Sequence, residues 1–134
     1  MTTQYCYNCW TVLNPEEKLC PRCGADQSDV DEQSYVEKLI RALRHPEPET
    51  PVRAAYILGQ MKAHEAVPFL LDLGRLSEDI YIAAAAIDAL GEIGDSKIVQ
   101  DVESILLTRH ESPVRLAVQR ASEKLSLAQH NVHR

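Results

Sequence analysis

The sequence predicts an all-α fold, a short α-solenoid of about six helices with a 32-residue period, preceded by a small cysteine-rich lobe. Three observations carry this. From Tyr35 onward apolar residues recur at helical spacing, with Val36, Leu39, Ile40 and Leu43 at i, i+3, i+4 and i+7. Leu58-Gly59-Gln60-Met61 repeats as Leu90-Gly91-Glu92-Ile93 at an offset of 32, and the same offset carries Ala54 onto Ala86 and Val118. All four cysteines fall within the first 23 residues, as Cys6-Tyr-Asn-Cys9 and Cys20-Pro-Arg-Cys23.

Taken along the chain, residues 1–27 form the lobe, 28–33 a polar linker, 34–127 the helical repeats and 128–134 a polar tail. The helices are expected near 33–44, 50–61, 64–75, 78–93, 96–108 and 113–127. Pro46 and Pro48 stop the first. Thr50 before Pro51 reads as an N-cap with proline at the first helical position, and Ser112-Pro113 repeats that signal. Ser77 ahead of Glu78 and Asp79 reads as another cap, with acidic groups favoured by the helix dipole. Gly94-Asp95-Ser96 reads as a C-cap glycine followed at once by a new N-cap. The alanines of 83–86 and their repeat mates let neighbouring helices approach closely, and each Leu-Gly pair marks such a contact. Val99, Val102, Ile105 and Leu106 form one buried stripe.

The cysteines define the chemistry of the lobe. Two C-x-x-C hooks ten residues apart present four soft thiolates to one tetrahedral ion, and Gly24 supplies the positive φ that the turn after the second pair needs. A disulfide framework is disfavoured, because the start lacks a basic and then apolar leader and the hooks are regular. The expected ion is a single Zn²⁺ held by Cys6, Cys9, Cys20 and Cys23, with iron less favoured. So short a segment has little core of its own, and the metal supplies most of its folding energy.

Charge and hydropathy exclude several function classes. Fourteen Lys and Arg against twenty Asp and Glu give a formal charge of −6, which weakens attraction to phosphate backbones and anionic lipid. No apolar run approaches the roughly 20 residues that span a bilayer. The expected location is cytoplasmic, with neither membrane nor direct nucleic acid as partner.

Val52-Arg53-Ala54-Ala55 through Leu58-Gly59, and Ala83 through Gly94-Asp95, resemble HEAT repeats of the phycobilisome-lyase-like type, with Glu65-Ala66-Val67-Pro68-Phe69-Leu70 similar to the second helix of such a repeat. The resemblance implies two full repeats with a half repeat at each end; in the last copy Ser122 and Glu123 stand where the others have Leu-Gly. The lobe resembles short zinc ribbons, whose knuckles run C-P-x-C-G. The second knuckle matches in full, whereas the first has Tyr7 for proline and Trp10 for glycine, which strains that turn. Rubredoxin holds iron with similar knuckles much farther apart in sequence.

Enzymatic readings fail on the residues. Deoxyhypusine hydroxylase, a HEAT-repeat enzyme, holds two irons with His-Glu dipeptides, but its ligand positions are Val52-Arg53 and Ala84-Ala85 here. The two His-Glu pairs of this chain, His64-Glu65 and His110-Glu111, lie outside that register. A bilin lyase would need a nucleophile beyond the four committed cysteines. His130 and His133 read as part of the polar tail. The chain therefore reads as a non-catalytic, zinc-binding adaptor or scaffold for protein–protein interaction. Tyr7 and Trp10 are either packed on the first helix or exposed as an anchor. Arg53 and Arg115 are candidates to meet acidic groups of a partner protein. Leu125 and Leu127 are candidates for an uncovered end face, which would equally serve a homodimer. The alternative is a factor that docks onto transcription or RNA machinery through the ribbon.

Overall fold

The computed structural model describes residues 4–28 and 34–132, with side chains through residue 128. The expected linker positions 29–33 and His133 fall outside the described residues, as does the side chain of His130. In the lobe, β1 (Gln4–Tyr5) pairs antiparallel with β2 (Val12–Leu13), and a bridge joins Leu19 to Asp26. Each C-x-x-C pair sits in the turn of one of these two hairpin-like loops.

Among the described residues six helices follow: α1 (Tyr35–Ala42), α2 (Glu49–Gln60), α3 (Val67–Leu76), α4 (Ile80–Ile93), α5 (Val99–Ser104) and α6 (Ser112–Val132). Single 3₁₀ turns lead into α3 and α5 and follow α5. The α-solenoid pattern holds, while several caps differ from those read in the sequence. Ser34 and Glu37 close a capping box on α1. Thr50 lies inside α2, which begins one residue earlier. Ser77 ends α3, and the N-cap of α4 is Asp79, whose carboxylate accepts from the amides of Tyr81 and Ile82. Asp95 rather than Ser96 caps the next turn, accepting from Lys97 N. In both cases a carboxylate beside the serine takes the amides, as charge-assisted acceptors do. Gly94 ends α4 at φ 77°, and Lys62, 32 residues earlier, ends α2 at φ 53°. The left-handed cap thus repeats even where no glycine announces it. Helix α6 runs on to Val132, past the expected end at 127.

The helices pack as three hairpins, α1 on α2, α3 on α4 and α5 on α6, with α2, α4 and α6 side by side in one layer. The other layer is α1, α3 and α5: Ile40 and Leu43 line a groove with Phe69 and Leu73, and Gly74 lies against Ile105. Between the layers Leu58, Leu70, Ile87, Leu90, Val102, Ile105, Val114, Val118 and Leu125 are fully buried. Val99 and Leu106 are partly buried against this core, so the expected stripe is present, running from α5 into the 3₁₀ turn after it.

The close spacing of the α2, α4 and α6 layer rests on glycine. A Cβ on Gly59 would stand 3.1 Å from Ala89 Cα, and one on Gly91 would stand 2.9 Å from Ala121 Cα. Charge pairs follow the same 32-residue step: Arg120 meets Asp88 through two bonds of 3.0 Å, and Lys124 pairs with Glu92. Glu123 occupies the position of Gly59 and Gly91, so the glycine–alanine contact cannot repeat on the outer side of α6. Leu125 corrects the expectation of an uncovered end residue. It points inward, with no exposed surface. We expect Gly91→Val to cost about 2 kcal/mol of stability, because the clash is with backbone and cannot be relieved by a rotamer change; urea denaturation showing an unchanged midpoint would contradict this contact.

Candidate metal centre

Each knuckle is built by the same pair of backbone bonds. Trp10 N donates to Cys6 O and Gly24 N to Cys20 O, while Cys6 N donates to Thr11 O and Cys20 N to Ala25 O, all at 2.8–3.0 Å. The residue after each second cysteine takes positive φ, 63° for Trp10 and 80° for Gly24. Trp10 therefore does the conformational work of a glycine, at a cost of about 1–3 kcal/mol that the surrounding structure must offset. The strain expected at the first knuckle is this torsion.

The turns bring the four sulfur atoms together, with every pair within 4.8 Å. Cys6 Sγ lies 3.6 Å from Cys23 Sγ and Cys9 Sγ 3.7 Å from Cys20 Sγ, and all four cysteines are free of disulfides. Four sulfurs about 2.3 Å from one ion at tetrahedral angles would stand about 3.8 Å apart. The donor set therefore fits a metal ion.

The lobe also favours thiolate. Asn8 N and Gln27 Nε2 each donate to Cys6 Sγ at 3.4 Å, Arg22 N to Cys20 Sγ at 3.4 Å, and Asn8 Nδ2 to Cys23 Sγ at 3.6 Å. Burial pushes the Cys6 thiol up, but the amides of Cys9 and Asn8, with Gln27 and Cys23, outweigh it and bring it down to about 6. The hydroxyl and amide of Thr11 hold the Cys9 thiol below its usual value. At Cys20 the amide of Cys23 works downward, yet burial and the neighbouring thiols Cys9 and Cys23 leave it raised. This is the pattern of sulfurs that share charge: some ionise readily, and their neighbours then resist a second negative charge.

The aromatic residues turn toward α1. Trp10 Nε1 donates to Arg41 O at 2.8 Å, and the His45 ring lies 4.7 Å from both Tyr5 and Trp10. The Arg41 guanidinium sits 5.3 Å over the Tyr7 ring and donates to Asn8 Oδ1 at 3.0 Å. Tyr5 completes the seam by donating to the Glu47 carboxylate at 3.2 Å. Of the two arrangements open to Tyr7 and Trp10, packing on the first helix is the one present. His45 and Arg41 carry no motif that singles them out in the sequence; their roles come from the folded contacts with the lobe.

The remaining candidates do not gather into one site. Arg53 is exposed at the start of α2 beside Glu47, Glu49 and Thr50. Arg115 lines a cavity at the α5–α6 end with Glu103, Leu106 and Gln119, and Leu127 is 64% exposed. Glu111 of the second His-Glu pair is engaged by buried Arg109, which also donates to Gly74 O at 3.2 Å. That pair is a structural tie between α3 and the turn before α6.

The chain matches HEAT repeats over residues 36–123 and belongs to the HEAT-repeat family, which is typically made of non-catalytic scaffolds. No curated protein and no solved structure matches it. Among the described residues no helix is long and apolar enough to cross a membrane. We expect Cys20→Ser to lose the metal that the wild-type chain retains through gel filtration, read by elemental analysis, while far-ultraviolet circular dichroism keeps most of its helical signal. Full metal retention in the variant would contradict a four-sulfur site.

Proposed function

We propose that this protein is a non-catalytic adaptor in which one Zn²⁺, held by Cys6, Cys9, Cys20 and Cys23, fixes a zinc-ribbon cap on the first helix of a HEAT-repeat scaffold. Four thiolates close a tetrahedral site and leave no open position for a substrate, which is the arrangement of a structural rather than catalytic zinc. The division into ribbon, linker, repeats and tail belongs to the same reading.

The observation that carries the adaptor reading is the groove between α1 and α3, about 460 Å³, lined by Ile40, Leu43, Phe69, Leu73 and Leu76. Phe69 is 49% and Leu76 76% exposed, so the lining offers apolar surface that the core does not use. Arg44 and Asp72 edge the groove, and neither makes an ion pair among the described residues. The matching occupant is an amphipathic segment of another protein, with apolar side chains for the floor and an acidic and a basic group for Arg44 and Asp72. Arg53 and Arg115 stand outside this groove and serve, in this reading, as peripheral contacts for acidic groups.

Purified under reducing conditions, the protein is expected to carry one zinc per chain by plasma mass spectrometry; iron in its place, or no metal, would contradict the zinc assignment. Phe69→Asp is expected to weaken capture of the partner at least about tenfold, as loss of a central apolar anchor does, while Leu127→Asp leaves it unchanged. Equal capture by wild type and Phe69→Asp would move the contact elsewhere.

A further inference from the structure

The groove and the cysteine lobe share a helix. Ile40, Leu43 and Arg44 line the groove from α1 and its C-cap, while the adjacent Arg41 and His45 are held by the lobe. Helix α1 has only 8 residues, too few to persist without tertiary support. On one side that support is Leu39 and Leu43 packed into the core. On the other it is Tyr7, Asn8 and Trp10 of the first knuckle, all on Arg41, with Tyr5 of β1 holding His45 and Glu47 just past the helix.

The lobe in turn has little but its own ligands to hold it. Its buried cluster is Cys6, Leu13 and Cys20, with Cys9 and Ala25 packed against it. Three of these five are proposed metal ligands, so without an ion their sulfurs have nothing to bind them together and the knuckle turns lose their tether. Trp10 is the residue most exposed to that loss. It directly follows a ligand, sits at a φ of 63° that relaxes once the turn opens, and places its indole N–H on the Arg41 carbonyl.

We propose that Trp10 couples metal occupancy of the cysteine lobe to the order of α1, making the α1–α3 groove a metal-dependent surface. The inference rests on the reading that the lobe takes zinc. When the ion is bound, the first knuckle holds Trp10 and Tyr5 around His45, and α1 keeps its place as a groove wall. When the ion leaves, the indole withdraws, Arg41 and His45 lose their partners, and α1 frays while α4 and α6 stay folded.

The test is amide hydrogen exchange on the full chain, with zinc content measured on the same samples. Stripping zinc with a strong chelator is expected to speed exchange in α1 about tenfold, the factor that loss of one hydrogen bond and a ring contact gives, and to leave α4 unchanged. Restoring Zn²⁺ is expected to reverse it. His45→Ala, which leaves all four cysteines and their turns intact, is expected to keep one zinc per chain yet show α1 exchange faster than wild type, by less than in the stripped protein because the Trp10–Arg41 bond remains, along with a shift in emission of Trp10, the single tryptophan of the chain. A zinc-loaded wild type whose α1 exchange does not change on stripping overturns the coupling and leaves the zinc assignment standing. A wild type that holds no zinc overturns both, and the metal measurement tells the two results apart.

Discussion

The helical part of this protein depends on how close its first-layer helices come. At Gly91 against Ala121 the backbones approach so far that even a methyl group would collide, and at Gly59 against Ala89 one would fit only if the neighbouring helix gave way by a few tenths of an ångström. Glycine inside a helix costs up to about 1 kcal/mol relative to alanine, and the structure recovers it through the burial of Leu58 and Leu90, each worth about 1.5–3 kcal/mol. That spacing also sets the reach of the surface pairs. Asp88 meets Arg120 and Glu92 meets Lys124 because one repeat step separates them. These exposed pairs add little stability; they report the register that the glycines impose.

The lobe follows a different rule. Too small to assemble an apolar interior, it collects sulfur where a larger domain would collect leucine, and its strands are only two residues each. What it lacks in core it offsets by leaning on α1. Trp10 links the two regimes, since one residue both completes a knuckle turn and caps a helix carbonyl. Placing tryptophan where glycine is easier makes physical sense only because the indole gains Arg41 O and the His45 ring. The strained torsion and the docking contact are two sides of one choice.

Much of the fold was legible in the sequence because it rests on periodic patterns. The apolar spacing from Val36, the 32-residue repeat of Leu-Gly and the alanine runs specify six helices and their close contacts. The cysteine spacing likewise located the donor set. Local competition was harder to read: Asp79 and Asp95 displaced the serines beside them as caps, and Lys62 took a left-handed turn without glycine to signal it. Long-range pairing was out of reach. His45, Arg41 and Glu47 gain their roles only when the lobe folds back across more than thirty residues of chain. Leu125 is buried for a related reason, since it belongs to the shared apolar core even without a following repeat.

What the four sulfurs surround decides the role of the lobe. X-ray absorption at the metal edge of the purified protein measures this without any variant. The expected result is zinc with four sulfur neighbours at about 2.3 Å and no nitrogen or oxygen in the inner shell. A mixed shell of sulfur with nitrogen or oxygen, or no metal edge at all, would contradict it.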